Sequence, residues 1–174
     1  MKDERIMKKI GLFYAANAVK TSQIAKKIRE ALGTEYVDII PAEQAWGNDF
    51  EAYDNLIVGV STWFDGELPT YWDELIPELE TLDLKGKRVA LFGLGDQVNY
   101  PDNFVDGLGI LDDAFEKAGA ALVGFTPAKE YSFNRSKALR GNEWCGLVID
   151  IENQSGRTDK RIKAWCDRLK TELL

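Results

Sequence analysis

The chain has no histidine and only two cysteines, Cys145 and Cys166, among its 174 residues. Without histidine there is no Ser-His-Asp or Cys-His nucleophile, and the commonest general base is missing. Two cysteines with no paired motif provide neither a disulfide framework nor a zinc site. Positive charge is also short, with 22 Lys and Arg against 29 Asp and Glu, a net charge of −7. A nucleic-acid binder would carry a basic surplus; this balance suits attraction of basic partners instead. No apolar run approaches the roughly 20 residues of a membrane span. Met1 to Lys9, followed by apolar Ile10 to Ala18, crudely imitates a secretory leader. Asp3 and Glu4 interrupt its basic part, however, and the apolar run is needed as a core strand. The expectation is one domain over 1–174, monomeric and cytoplasmic, that binds neither nucleic acid nor membrane.

What is present is an alternation of short apolar runs with helical stripes. Lys9 to Tyr14 reads as a buried strand. A helix over Lys20 to Leu32 follows, with Ile24, Ile28, Ala31 and Leu32 at helical spacing. Tyr36 to Ile40 is a second strand, stopped by Pro41, and Leu56 to Val60 a third. Trp72, Leu75, Ile76 and Leu79 form a stripe with Thr70 as N-cap and Pro77 as an expected kink or break. Val89 to Phe92 is a fourth strand. Phe104, Leu108, Leu111 and Phe115 mark the next helix, which Pro101-Asp102 opens. A fifth strand starts at Ala121 to Phe125 and resumes at Cys145 to Ile151, interrupted by a polar excursion of about 20 residues, a length that is usually functional. Ile162, Trp165, Cys166 and Leu169 define the last helix, capped by Thr158 or Asp159. This pattern predicts an α/β fold, a doubly wound five-stranded parallel sheet with helices on both faces. Ligands then bind beyond the carboxyl ends of the strands.

Three loops lie at that edge. The first, Ala15-Ala16-Asn17-Ala18-Val19-Lys20-Thr21, joins a strand to a helix N-terminus, where an α/β protein holds a phosphate. It has no glycine, and its one hydroxyl is on Thr21. A Walker-type site is excluded, because only Lys20-Thr21 resembles that motif. The second and third, Ser61 to Pro69 and Gly93 to Phe104, each place a large aromatic, Trp63 or Tyr100, on a glycine-bearing loop. Two facing aromatics would clamp a flat ring, contributing about 0.5–1.5 kcal/mol per stacked pair beyond burial. Packing of both aromatics onto neighbouring loops is the alternative.

GLFYAANAVKT, STWFDGELPTYWDEL, GKRVALFGLGDQVNYPDNF, YSFNRSKAL and DIENQSGRTDKRIKAW together resemble the flavodoxins of the long-chain type, from about Lys9 to Leu173. The resemblance implies strand order 2-1-3-4-5, one noncovalent FMN and single-electron transfer at low potential between redox proteins, without enzymatic catalysis or a metal. It implies that Ala16, Asn17, Ala18, Val19, Lys20 and Thr21 surround the phosphate. Ser61, Thr62 and the backbone of Gly93, Leu94, Gly95, Asp96 and Gln97 would meet the ribityl chain and ring edge. Trp63 would stack on the inner ring face and Tyr100, preceded by Asn99, on the outer. Phe64, Asp65 and Gly66 would lie near flavin N5, where a peptide can turn to accept a hydrogen bond from the reduced ring. Asp65, Glu67, Asp96 and Asp102 would disfavour negative charge on the flavin, form an acidic rim for transiently docked donor and acceptor proteins, or do both.

The chain departs from the family's S/T-x-T-G-x-T phosphate loop at Ala16, Ala18 and Val19. Hydrogen bonds to a charged group contribute about 1.5–3 kcal/mol each, so two missing hydroxyls would weaken FMN by up to roughly 10²–10⁴ in affinity. Val19 is strained if φ there is positive and unstrained if it is negative. Lys129-Glu130 replaces a usual Asp-Gly beside the ring. Two functions fit these residues: an FMN electron carrier, or a flavodoxin-like module without tightly held FMN that docks a redox partner or takes riboflavin. The excursion at Thr126–Trp144 is expected either to join the docking face or to protect the sheet edge.

Overall fold

The computed structural model describes residues 7–15, 18–62 and 66–174. The readings of Ala16, Asn17, Trp63, Phe64 and Asp65, and of residues 1–6 of the leader-like start, fall on residues outside these. The elements run β1 (Ile10–Tyr14), α1 (Val19–Leu32), β2 (Val37–Pro41), α2 (Gly47–Glu51), β3 (Asn55–Ser61), α3 (Thr70–Leu79), β4 (Arg88–Leu94) and α4 (Asp106–Lys117). Then come β5 (Ala121–Val123), β6 (Thr126–Pro127), β7 (Leu139–Arg140), β8 (Glu143–Trp144), β9 (Leu147–Ile149), α5 (Ile151–Gln154) and α6 (Thr158–Glu172).

The main sheet is parallel in the order β2-β1-β3-β4-β5, and β9 also pairs with β4. The fifth position is thus shared. β5 pairs with Arg88–Ala90 and β9 with Phe92–Leu94. The interrupted strand of the sequence reading is present, with both pieces shorter than expected. Gly124, at φ +78°, ends β5, and Asp150 ends β9 by capping α5. The segment between them forms a small antiparallel sheet, β6-β8-β7.

Strand period two divides the core into two layers. Phe13, Leu56, Val58, Val60, Val89 and Leu91 face α3 and α4. Ile10, Leu12, Ile57, Ala90, Phe92 and Ile149 face α1 and α6, where Ile24, Ile28, Ile162, Trp165 and Leu169 meet them. Gly59 shares the second face, and the fully buried Phe92 ring takes the space a side chain there would fill.

Several local expectations need correction. Pro77 does not break α3, which runs on to Leu79; the proline is exposed, so water can take the carbonyl its missing N–H leaves free. Thr70 is the first residue of α3, with Pro69 at the N-cap. Neither Thr158 nor Asp159 caps α6, because the 3₁₀ turn Ser155–Arg157 leads straight into it through Arg157. Phe104 lies before α4, since Val105 takes a left-handed φ of 49° at the N-cap. Its ring packs instead at 5.6 Å from Trp144 and 5.7 Å from Phe133. Pro41 is the last residue of β2 rather than its stop, which an edge strand tolerates. The short helix α2 carried no periodic signal.

A Cβ at Gly59 would stand 2.0 Å from the tip of the Phe92 ring. Gly59→Ala is expected to destabilise the fold by about 1–3 kcal/mol, read as a lower urea midpoint with unchanged slope.

Candidate functional site

The carboxyl edge of the sheet opens into a cleft of about 430 Å³. Its first wall is the N-terminus of α1, with Ala18, Val19, Lys20 and Thr21. Ala18 is the N-cap and has no side chain to cap with, and the first turn holds no acidic residue. The first intrahelical bond runs from the Ser22 N–H to the Ala18 carbonyl at 2.8 Å. The N–H groups of Val19, Lys20 and Thr21 therefore have no helical carbonyl of their own. Val19 is right-handed helical and 70% exposed. Among the described residues only Val105 and Glu130 are non-glycines with positive φ, so the valine brings no backbone strain.

The second wall is the end of β3, Ser61 and Thr62. Thr62 Oγ1 accepts the Gly107 N–H at 3.0 Å, which joins this loop to the first turn of α4. Beyond it Gly66 has φ +85°, and a Cβ there would come within 2.7 Å of Asp106 Oδ2.

The third wall is the loop after β4, where Leu94, Gly95, Asp96 and Tyr100 line the cleft. Tyr100 is 45% exposed. Asp96 organises its own loop. Oδ1 accepts the N–H groups of Val98 and Asn99 at 3.1 and 3.0 Å and the Asn153 amide at 2.8 Å; Oδ2 accepts the Asn99 amide at 2.7 Å. Burial opposes its ionisation, but these bonds together hold its carboxyl below the usual range. Asn99 does not need the left-handed conformation for which asparagine is suited.

Ten of the expected residues therefore share one cleft. Gly66, Gly93, Gln97 and Asn99 do not line it. Gly93 lies within β4 against Leu108. Gln97 is buried, and its side chain is committed elsewhere. Its N–H and Nε2 both donate to Asp150 Oδ2, at 3.1 and 2.7 Å, and its Oε1 accepts the Ser132 N–H at 2.6 Å. Lys129 and Glu130 do not border this cleft but a separate one against α6. Glu130 tolerates φ +69° because Gln154 Nε2 bonds its carbonyl at 2.7 Å and Arg157 pairs with its carboxylate at 2.7 Å.

Sequence reasoning missed Ile151 and Glu152, which complete the cleft wall from α5. The signal was Asp150 followed three residues later by Asn153, an N-cap pattern at the carboxyl edge: Asp150 Oδ1 accepts the Asn153 N–H at 3.0 Å.

The excursion buttresses the tyrosine loop. The N–H groups of Asn134 and Arg135 bond the Pro101 carbonyl at 2.7 and 3.0 Å. Asn134 Nδ2 donates to Asp102 at 2.8 Å, and the Lys137 N–H to Asp106 Oδ1 at 2.8 Å. Arg140 ties the same segment to buried Asp112 at 2.8 Å.

The chain matches the family model described as Flavodoxin over residues 12–165. It belongs to the flavodoxin family. A flavodoxin of Nostoc sp. is 45% identical over 165 residues, covering 95% of this chain and 97% of the relative. Flavodoxin 1 of Escherichia coli is 39% identical over 164 residues, covering 94% and 93%. Among solved structures, Fusobacterium nucleatum flavodoxin bound to flavin mononucleotide superposes with a TM-score of 0.91 at 32% identity, covering 97% of this flavodoxin and all of that chain. The observed strand order and the two helical layers match that fold.

Burial raises the pKa of Asp106, against the Lys137 N–H and the charges of Lys137 and Arg135. Just above the ordinary carboxylate value, the folded state thus holds a proton that the unfolded chain has lost. This group's contribution to stability falls as pH rises through that window. Asp106→Asn removes the titration and is expected to raise the urea midpoint more at pH 7 than at pH 4.

Proposed function

We propose that this flavodoxin carries one noncovalent FMN and passes single electrons between redox proteins. The observation that supports it best is the shared cleft: an uncapped helix N-terminus suited to a phosphate and a half-exposed tyrosine suited to a ring open onto one space. The donor set fits the group at both ends, with N–H groups and the Thr21 hydroxyl at one and an aromatic face with glycine-flanked backbone at the other.

In this reading Ala16 to Thr21 hold the phosphate, chiefly through backbone N–H groups and the helix end. Ser61, Thr62 and the Gly93 to Gln97 backbone position the ribityl chain and ring edge, and Tyr100 covers the outer face. Trp63 on the inner face and Phe64, Asp65 and Gly66 near N5 rest on the sequence resemblance. Bound FMN supplies the one-electron couple. The carboxylates of Glu67, Asp96 and Asp102 disfavour added negative charge on the ring, which lowers its potential, and offer basic partner faces an acidic rim. Donor and acceptor proteins dock there transiently, on a monomer. No described helix is long and apolar enough to cross a membrane.

One observation favours the second reading, a module without tightly held FMN: Ala18 gives the phosphate end no hydroxyl. Purification without added flavin decides between them. The carrier is expected to be yellow as isolated and to bind FMN far more tightly than riboflavin. A colourless protein indifferent to FMN would overturn the carrier reading.

Ala18→Thr restores a hydroxyl at the N-cap. It is expected to stabilise the flavin-free protein by about 1 kcal/mol and to tighten FMN by roughly tenfold or more, with riboflavin unchanged. Urea unfolding and fluorescence titration check the two effects.

A further inference from the structure

Lys20 and Glu152 line the same cleft from α1 and α5, and Lys20 Nζ meets Glu152 Oε1 directly. Lys20 is the second residue of α1, and Glu152 is in the first turn of α5. We propose that this pair sets the preference of the cleft for a phosphorylated over a phosphate-free flavin, with Lys20 as the counter-charge of the phosphate and Glu152 as its built-in competitor. This rests on the FMN reading above and adds to it a source of selectivity that does not need the missing hydroxyls.

Three observations carry it. First, the pair is replaceable: the side chains are 56% and 49% exposed, and exposed ion pairs contribute little to stability. A phosphate monoester, with a charge of about −1.5 to −2, is a stronger partner than one carboxylate. Lysine, a point charge on a flexible stem, can turn to it without rebuilding the backbone. Second, α1 brings no acidic residue of its own in its first turn, so the carboxylate beside this cation comes from α5.

Third, Glu152 cannot easily leave. α5 is anchored by Asp150, which has no exposed surface and accepts bonds from Gln97 and Asn153. Asn153 in turn bonds Asp96 in the tyrosine loop. When Lys20 turns to a phosphate, Glu152 stays nearby without its partner. Its charge then opposes the phosphate and leaves a neutral ribityl terminus untouched. The ratio of FMN to riboflavin affinity is therefore tuned by two side chains from distant parts of the sequence.

The test is fluorescence titration of the flavin-stripped full chain with FMN and with riboflavin, for the unaltered protein, Lys20→Met and Glu152→Gln, at low and high salt. Lys20→Met is expected to weaken FMN about tenfold or more, with riboflavin within about twofold. Glu152→Gln is expected to tighten FMN several-fold, with riboflavin unchanged, and both effects should shrink at high salt. Riboflavin binding also reports that each variant is folded. An unchanged FMN-to-riboflavin ratio in either variant, while the unaltered protein binds FMN, would overturn this inference alone. Failure of the unaltered protein to bind either flavin would overturn the FMN reading and this inference with it.

Discussion

The site depends on a carboxylate that water does not reach. Asp150 sits at the end of β9 with no exposed surface, and burying such a charge is costly unless it is fully bonded. Four donors meet it: the Gln97 N–H, the Gln97 amide, the Asn153 N–H and the Asn153 amide. The two residues that supply them serve different requirements of the site. Gln97 fixes the path of the loop that leads to Tyr100, and through its own oxygen it fixes Ser132 of the excursion. Asn153 starts α5 and holds Asp96. One buried group therefore sets the tyrosine loop, α5 and the excursion relative to one another.

The layered fold was legible because its signals are periodic. Apolar runs at Ile10, Leu56 and Val89 and stripes at Ile24, Leu108 and Ile162 each report a face that must be buried, whatever packs on it. The interrupted fifth strand was also legible, since polar residues between two apolar runs leave few other arrangements. Helix ends were read less well. Thr70 and Thr158 are good capping residues in isolation, but a proline and a 3₁₀ turn occupied the positions before them. Phe104 was assigned to a helix on its spacing and on Pro101-Asp102 as an entry, because the left-handed turn at Val105 that removes it leaves no mark in the pattern.

The candidate site was legible where it is contiguous and obscure where it is assembled. The loops from Ala18 to Thr21 and from Leu94 to Tyr100 each announce themselves, and both line the cleft. Glu152 does not, since its role depends on meeting Lys20 from 132 residues away in sequence. The side chain of Gln97 was likewise unreadable as a structural group, because its partner Asp150 lies 53 residues on. Val19 shows the opposite case: it looks like a hazard in sequence, but the backbone conformation that would have made it one is absent.

The shared fifth position has a consequence for how the chain can change. β5 ends opposite Ala90 and β9 begins opposite Phe92, so a single residue of β4, Leu91, separates the two pairings. The Gly146 backbone passes so near the Leu91 carbonyl that a Cβ there would stand 2.1 Å from the oxygen. To the sheet, the two pieces amount to one strand with a brief gap. Between them, the exposed turn at Gly141 and Asn142 is free to lengthen or acquire new surface without shifting any register in the layers beneath, while Ala138, Trp144 and Cys145 hold the rest of the segment to the core.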